Sequence, residues 1–585
     1  MRLRKRGSTP LAAVTTLALA ASLSACTANT GEDAAGGDLR NRSSVIATDP
    51  KDSLGPAPAV TGAQEGGTVT IIRETDYTHL DPQQTYTVSG WALGQLMYRT
   101  LTAFKEDGKG GMKLVGDLAT GPGKDVNDDC KTWKFTIKDN VRFETGDKIT
   151  AADVAYGIGR SFSPTFDDGA TYIQEWLAGD SDFSSVWAGP YKTKEDVPPN
   201  LDVKGQDLTF NFDEPHCDMP FAGAMTTTVP VPKDQDSESD YDTKIVSSGP
   251  YKMVEYKRDT RIVLERNDEW DPKSDAIRHQ YPESFEVEIG PDMNAATERV
   301  IADSGNDKFA VAQDGVPQEL TNAVLDDTDL KDRTLQAGTA LVWYLRINNQ
   351  RVTDVDTRRA IAYALDKENI LRTAGGDAEG KITHTILTPT TIGYEEYKNP
   401  YQAPPTGDAK KAKALLDGKK PKLVMLHRTT DPYPQQASVV KESLEKAGFK
   451  VTLQSIDDTQ HNTETKEKDN PYDLYMSSWI GDWPSGASTV QPLFDGETIS
   501  ASGNNNTSYL NDPEINSEID RISKLDAEKA GPEWMKLDET IMKEHCPNVP
   551  LYSVKHFSVH GSGVGGIFVS DFLGQQAYYN VFAKG

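Results

Sequence analysis

The chain has 585 residues, 26% of them charged, and a formal net charge of −27 at pH 7. So acidic a surface repels nucleic-acid backbones and anionic lipid head groups, and a chain of this length needs more than one core. Beyond the amino terminus no stretch approaches eighteen consecutive apolar residues, which excludes a helical membrane span in the body.

The first residues have the grammar of an export signal. Arg2, Arg4, Lys5 and Arg6 precede an apolar run from Leu11 to Leu23, too short for a comfortable span. The sequence LSAC that follows resembles the lipobox of bacterial lipoproteins, so cleavage before Cys26 and acylation of that cysteine are expected: a signal peptide at 1–25, then a lipidated cysteine and flexible tether at 26–65. The tether is rich in Gly, Ala, Ser, Asp and Pro and has little apolar surface to bury.

Within the body, alternation predicts a strand at 66–74, followed by the turn HLDPQQ at 79–84 and a helix over 91–104. TWKFTIKDNVRFETGDKIT, 132–150, reads as a hairpin, after which Thr150 is placed to cap a helix beginning AADVAYG. Two alternating strands follow the Gly-Pro entry at 249–250. Cys130 precedes one strand-like run and Cys217 follows another; if those strands are neighbours, the two cysteines are the pair to expect, with Cys546 a buried free thiol.

Between 340 and 500 the pattern becomes strand 341–349, helix 356–372 capped by Asp356, strand 422–428, helix 434–448, strand 449–456 and strand 472–480. That order predicts a lobe with a largely parallel sheet flanked by helices. In such sheets ligands bind beyond the carboxyl ends of the strands. Asp482 stands there, two residues past the last strand and between Trp479 and Trp483, in the stretch YMSSWIGDWPSG.

Enzyme motifs fail on context. GSGVGG at 561–566 has dinucleotide-loop spacing but is followed by strand-like IFVSDF rather than a helix. His556 and His560 are four apart without the glutamate of a zincin, and the acidic run 234–242 lacks calcium-loop spacing. No enzymatic activity, cofactor or metal is expected.

Taken together, LDPQ at 80–83, VRFETGDKITAADVAYGIGRSF at 141–162, IVSSGPYKMVEY at 245–256, YLRINNQ with DVDTRRAIAYALDKENI, YLNDPEINSEID at 509–520 and IMKEHCPNVPLYS at 541–553 resemble the bacterial extracellular solute-binding proteins of family 5, the dipeptide and oligopeptide receptors of ABC importers. Ser248 stands where that family usually has Thr. The resemblance implies an α/β, two-lobed periplasmic-binding-protein-like fold of type II with mixed sheets and a hinge. The first lobe would be 66–105 plus 205–335 plus 515–585, a small accessory domain 106–204, and the second lobe 336–514.

It further implies that Asp482 pairs with the α-amino group of a peptide, since SWIGDW matches the family's G-W-x-x-D pattern except at Ser478. Trp479, Ile480, Gly481 and Trp483 would flank that site, with Tyr86 and Tyr344 as further cleft candidates, although strand tyrosines more often pack in cores. Arg346 is conceivable for the peptide carboxylate, an ordinary strand arginine being the plainer reading. The expected partner is an ABC permease in the cytoplasmic membrane, the receptor being a lipid-anchored monomer on its outer face. An oligosaccharide, a nickel chelate or another small solute on the same scaffold is the alternative ligand.

Overall fold

The computed structural model describes residues 45–106 and 111–585; the signal-like segment, Cys26 and the first part of the tether lie outside them. Two mixed sheets organise the rest. The first runs in the order Ala310–Ala312, Thr68–Arg73, Ser284–Ile289, Arg261–Arg266, Tyr251–Lys257. Thr68–Arg73 is parallel to both its neighbours. Its alternation feeds two cores: Val69 and Ile71 enter the largest apolar cluster, and Ile72 enters a smaller one with Val300 and Ala312.

The second sheet runs in the order Gly380–Ile382, Asn548–Val559, Thr334–Ile347, Leu474–Ile480, Lys422–Arg428, Lys450–Ile456. Three of its five pairings are antiparallel, so the expected largely parallel sheet is corrected to a mixed one. The physical reason is local. Lys422–Arg428 and Lys450–Ile456 are joined by the crossover helix Tyr433–Ala447 and must be parallel, whereas the long central strand Thr334–Ile347 enters between partners of opposite direction. The crossover helix ends at Gly448, whose φ of 106° only glycine adopts freely. Thr334–Ile347 and Asn548–Val559 also tie the two bodies together: Thr334 pairs with Val559, and His560 bridges to Val311 of the first sheet.

A small four-stranded sheet has the order Lys124–Asp125, Thr132–Thr136, Asp207–Asn211, Leu201–Lys204. The expected hairpin at 132–150 is not made. Thr132–Thr136 pairs instead with Asp207–Asn211, and 141–149 is a loop carrying the single bridge Arg142–Lys148. That long-range pairing brings Cys130 and Cys217 side by side, and their sulfurs are bonded at 1.98 Å; Cys546 is free and buried.

Three further boundaries move. The helix expected over 91–104 is Val88–Met97, and Thr102–Glu106 is a strand paired with Met112–Gly116. The helix expected over 356–372 is two, Val355–Ala364 and Lys367–Ala374, because Leu365 is extended and Asp366 caps the second by accepting from the Asn369 amide. The tether is shorter than expected, since Val45, Ala47 and Ser53 are buried, Ala47 and Leu114 exchange backbone hydrogen bonds with their neighbours, and the buried Lys138 ammonium donates to the Ser53 carbonyl at 2.7 Å. Thr150 caps Ala151–Arg160 as expected, in a reciprocal box with Asp153. GSGVGG is a turn leading into the strand Val564–Gly565, with no helix after it.

Candidate functional site

The signature stretches of the sequence build a turn rather than a reactive centre. Asp81 of LDPQ receives both terminal nitrogens of Arg160 at 3.1 and 2.8 Å, all of them buried. Asp242 accepts from the backbone amide of Asp81 at 2.8 Å and from that of Leu80. This buried network fixes the turn, and Thr87 then caps the helix Val88–Met97. Tyr86 therefore stands at a defined point on the rim of the first body, 43% exposed.

Asp482 meets it from the second body. Leu474–Ile480 ends beside Thr334–Ile347, with Trp479 opposite Val342 and Ile480 opposite Leu341. The chain then turns through Gly481, and Asp482 projects between the bodies. Tyr86 donates to its Oδ1 at 2.9 Å and Tyr172 to its Oδ2 at 2.5 Å. No ion pair forms with Asp482 among the described residues. Burial pushes its carboxyl up to about 6, and the two phenol hydrogen bonds hold it from rising further. The same carboxylate, with burial, drives both phenols above their ordinary range.

Aromatic rings wall this carboxylate. Tyr172 and Trp176, one turn apart on Tyr172–Ala178, lie 4.6 and 6.3 Å from the Trp483 ring. Trp176 stacks on His216 at 4.4 Å, and the Trp483 indole donates to Asp218 Oδ2 at 2.8 Å, so the residues flanking Cys217 both reach the contact. Trp479 is half-buried, its indole donating to the Ser488 carbonyl at 2.9 Å. A narrow cavity adjoins the turn, and a second shares one wall residue with it. One is lined by Trp479, Gly481, Trp483, Thr388, Thr390 and Thr391; the other by Trp91, Tyr98, Thr226 and Arg278; Phe572 borders both.

The structure thus brings together Asp482, Trp479, Gly481, Trp483 and Tyr86. Ser478 and Ile480 are half-buried on the strand leading in. Tyr344 is not at this surface. It is 0% exposed in the cluster with Val490 and Trp534, and its hydroxyl accepts from Arg346 at 2.9 Å. Alternation along Thr334–Ile347 puts it on a covered face of the sheet. Arg346 is equally buried, five residues along the strand from Leu341 and opposite Tyr475. Sequence reasoning missed Tyr172, Trp176 and Asp218. The i, i+4 spacing of Tyr172 and Trp176 is a usable signal for one aromatic helix face, but nothing links it to Asp482, 310 residues away.

A family model described as bacterial extracellular solute-binding proteins, family 5 Middle, matches residues 113–501. The chain belongs to family 5. Among curated family relatives, it is 23% identical over 518 residues to the oligopeptide-binding protein OppA of Bacillus subtilis (strain 168), covering 85% of this chain and 89% of that one. It is 24% identical to the probable D,D-dipeptide-binding periplasmic protein DdpA of Escherichia coli (strain K12), covering 77% and 81%. Among solved structures, clavulanic acid biosynthesis oligopeptide binding protein 2 superposes with a TM-score of 0.83 at 25% identity, covering 94% of this chain and 100% of that one. The ABC transporter-associated periplasmic binding protein DppA from Helicobacter pylori, in complex with the peptide STSA, gives 0.67 at 19% identity over 89% and 99%. The fold is the two-lobed, mixed α/β fold of family 5.

Proposed function

We propose that this chain captures peptides between its two bodies and delivers them to an ABC permease, with Asp482 as the anchor for the peptide's free α-amino group. The observation that carries the reading is a half-buried carboxylate at the interface of the bodies, with two phenol donors, aromatic walls and, among the described residues, no cation paired to it. An ammonium group taken out of water needs such a charged, hydrogen-bonding partner, and the rings of Tyr172 and Trp483 add cation–π attraction. The peptide-binding relatives and the peptide-bound neighbour support the choice of ligand.

The other end of the ligand meets no free cation. Among the residues lining the two cavities Arg278 is the only Lys or Arg, and it is bound to Asp117 at 2.8 Å and Asp275 at 3.0 Å. The peptide carboxylate is left to neutral donors, Thr388, Thr390 and Thr391 among them, or to water. Holding main chain and amine while leaving side chains unpaired gives low sequence selectivity.

In this reading 66–105, 205–335 and 515–585 form the first lobe, 106–204 the accessory domain and 336–514 the second lobe, and closure about the two long strands is what the permease senses. Cys26 carries the lipid that keeps the receptor at the outer face of the cytoplasmic membrane, and the protein performs no chemistry on its ligand. Native mass spectrometry of protein purified without refolding tests this. A heterogeneous set of peptides on the wild type, absent from Asp482→Ala, is the expected result. A single non-peptide mass, or peptides retained by the variant, would overturn the assignment and favour a sugar or metal chelate.

A further inference from the structure

Two arginines of the second body are buried without a counter-charge. Elsewhere Arg99, Arg160 and Arg278 each meet a buried aspartate at 2.8 Å. Arg346, 1% exposed, donates one terminal nitrogen to the Tyr344 hydroxyl, while its Nε and Nη1 have no acceptor. Arg358, 7% exposed, spends Nε on the His545 carbonyl and Nη1 on those of Val352 and Thr353, at 2.8 to 2.9 Å. Neither makes an ion pair among the described residues, and burial holds the Arg358 guanidinium below its ordinary value. A buried cation left without an anion is costly, whereas carbonyl dipoles compensate it only in part.

Arg358 lines a cavity. It has a volume of about 360 Å³ and is lined by Asn349, Thr353, Arg358, Lys468, Tyr509 and Asn511 among others, with no Asp or Glu in its wall. Lys468 is exposed and makes no ion pair among the described residues. The site is remote from the cleft: Ala340, which lines a cleft cavity, and Ile347, two residues before Asn349, are separated by roughly 23 Å of strand. In a chain of net charge −27 the charged side chains of this wall are one Arg and one Lys.

We infer that this cavity binds a small oxyanion of the inorganic phosphate type, gripped by Arg358 and Lys468. Guanidinium and ammonium groups suit oxyanion oxygens. Asn349 also lines the wall, its amide nitrogen committed to the carbonyls of Ile347 and Ser508. Acetate, a monoanion with two oxygens, offers these two cations less charge and fewer acceptors than phosphate.

Equilibrium dialysis of the full-length protein with inorganic phosphate at low ionic strength tests the inference. One saturable site is expected, weakened roughly tenfold or more by Lys468→Gln and removed by Thr353→Asp, both changes at exposed side chains with no hydrogen bond to lose. Asp482→Ala should leave it unchanged. Arg358→Gln should also abolish binding, but it forfeits three carbonyl contacts, so the two surface variants decide. No saturable binding up to about 10 mM, binding indifferent to Lys468→Gln, or acetate bound as well as phosphate would overturn the assignment.

Discussion

The Tyr172 hydroxyl donates to Asp482 from the opposite body, so the group that holds the cleft carboxylate in place belongs to the surface that closes over it. Tyr86 makes the second such contact. In the proposed reading, ligand recognition and closure are coupled through one side chain, because an ammonium group bound at Asp482 would also meet the two phenols that bridge the bodies.

That coupling makes the phenols tuning groups. Each phenol hydrogen bond favours the ionised form of Asp482. Tyr172→Phe should raise the carboxyl from about 6 towards neutrality and weaken peptide binding at pH 7 by roughly twofold, with a smaller loss at pH 8. Calorimetric titration at the two pH values checks this, and equal losses at both would refute the protonation argument.

In the wild type the same group sets a pH window. Ammonium binding requires the ionised carboxylate, so affinity should be flat above pH 7 and fall about tenfold per unit below the value near 6. Affinity that holds down to pH 5 would count against Asp482 as the anchor.

Asp538 predicts a stability window of its own. It is 0% exposed and accepts from the amides of Ile386 and Leu387 at 3.0 and 3.3 Å, and burial pushes it up to about 7. Because this folded value lies above the unfolded one, its contribution is fully present below about pH 4 and is lost as pH rises through 7. Asp538→Asn keeps an acceptor for the two amides without the charge. It should remove part of the fall in melting temperature between pH 6 and 8, a contribution of about 1.4 kcal/mol over that interval.

The Cys130–Cys217 bond links residues 87 apart in sequence and holds His216 and Asp218 against Trp176 and Trp483. Replacing both cysteines with serine should cost about 2–5 kcal/mol of stability, read from denaturant unfolding. It should also weaken peptide binding through the loosened Asp218 contact; unchanged affinity would separate the disulfide from the site.

Much of this was legible in the sequence, and the failures share a cause. The Thr150 cap and the Gly448 helix end were read correctly because capping and helix termination are local chemistry, and Asp482 follows the end of its strand as expected. The two cysteines pointed to each other only on the condition that the strands beside them are neighbours, which the long-range pairing of Thr132–Thr136 with Asp207–Asn211 meets. Tyr172 and Asp218 were invisible because their roles arise from contacts hundreds of residues away in the chain. Tyr344 was misplaced because alternation separates the two faces of a strand without saying which faces the cleft, and in this sheet helices cover the face it occupies. The break at Leu365 escaped because Asp366 caps only when the preceding residue leaves the helix.

The most direct test of the central claim compares tetra-alanine with its N-acetylated and C-amidated forms by calorimetry, on the wild type and Asp482→Ala. The account predicts that N-acetylation lowers affinity about a hundredfold and Asp482→Ala does the same, while amidation changes it less than about threefold because no free cation awaits the carboxylate. Tight binding of the acetylated peptide, or strong dependence on the free carboxylate, would contradict it.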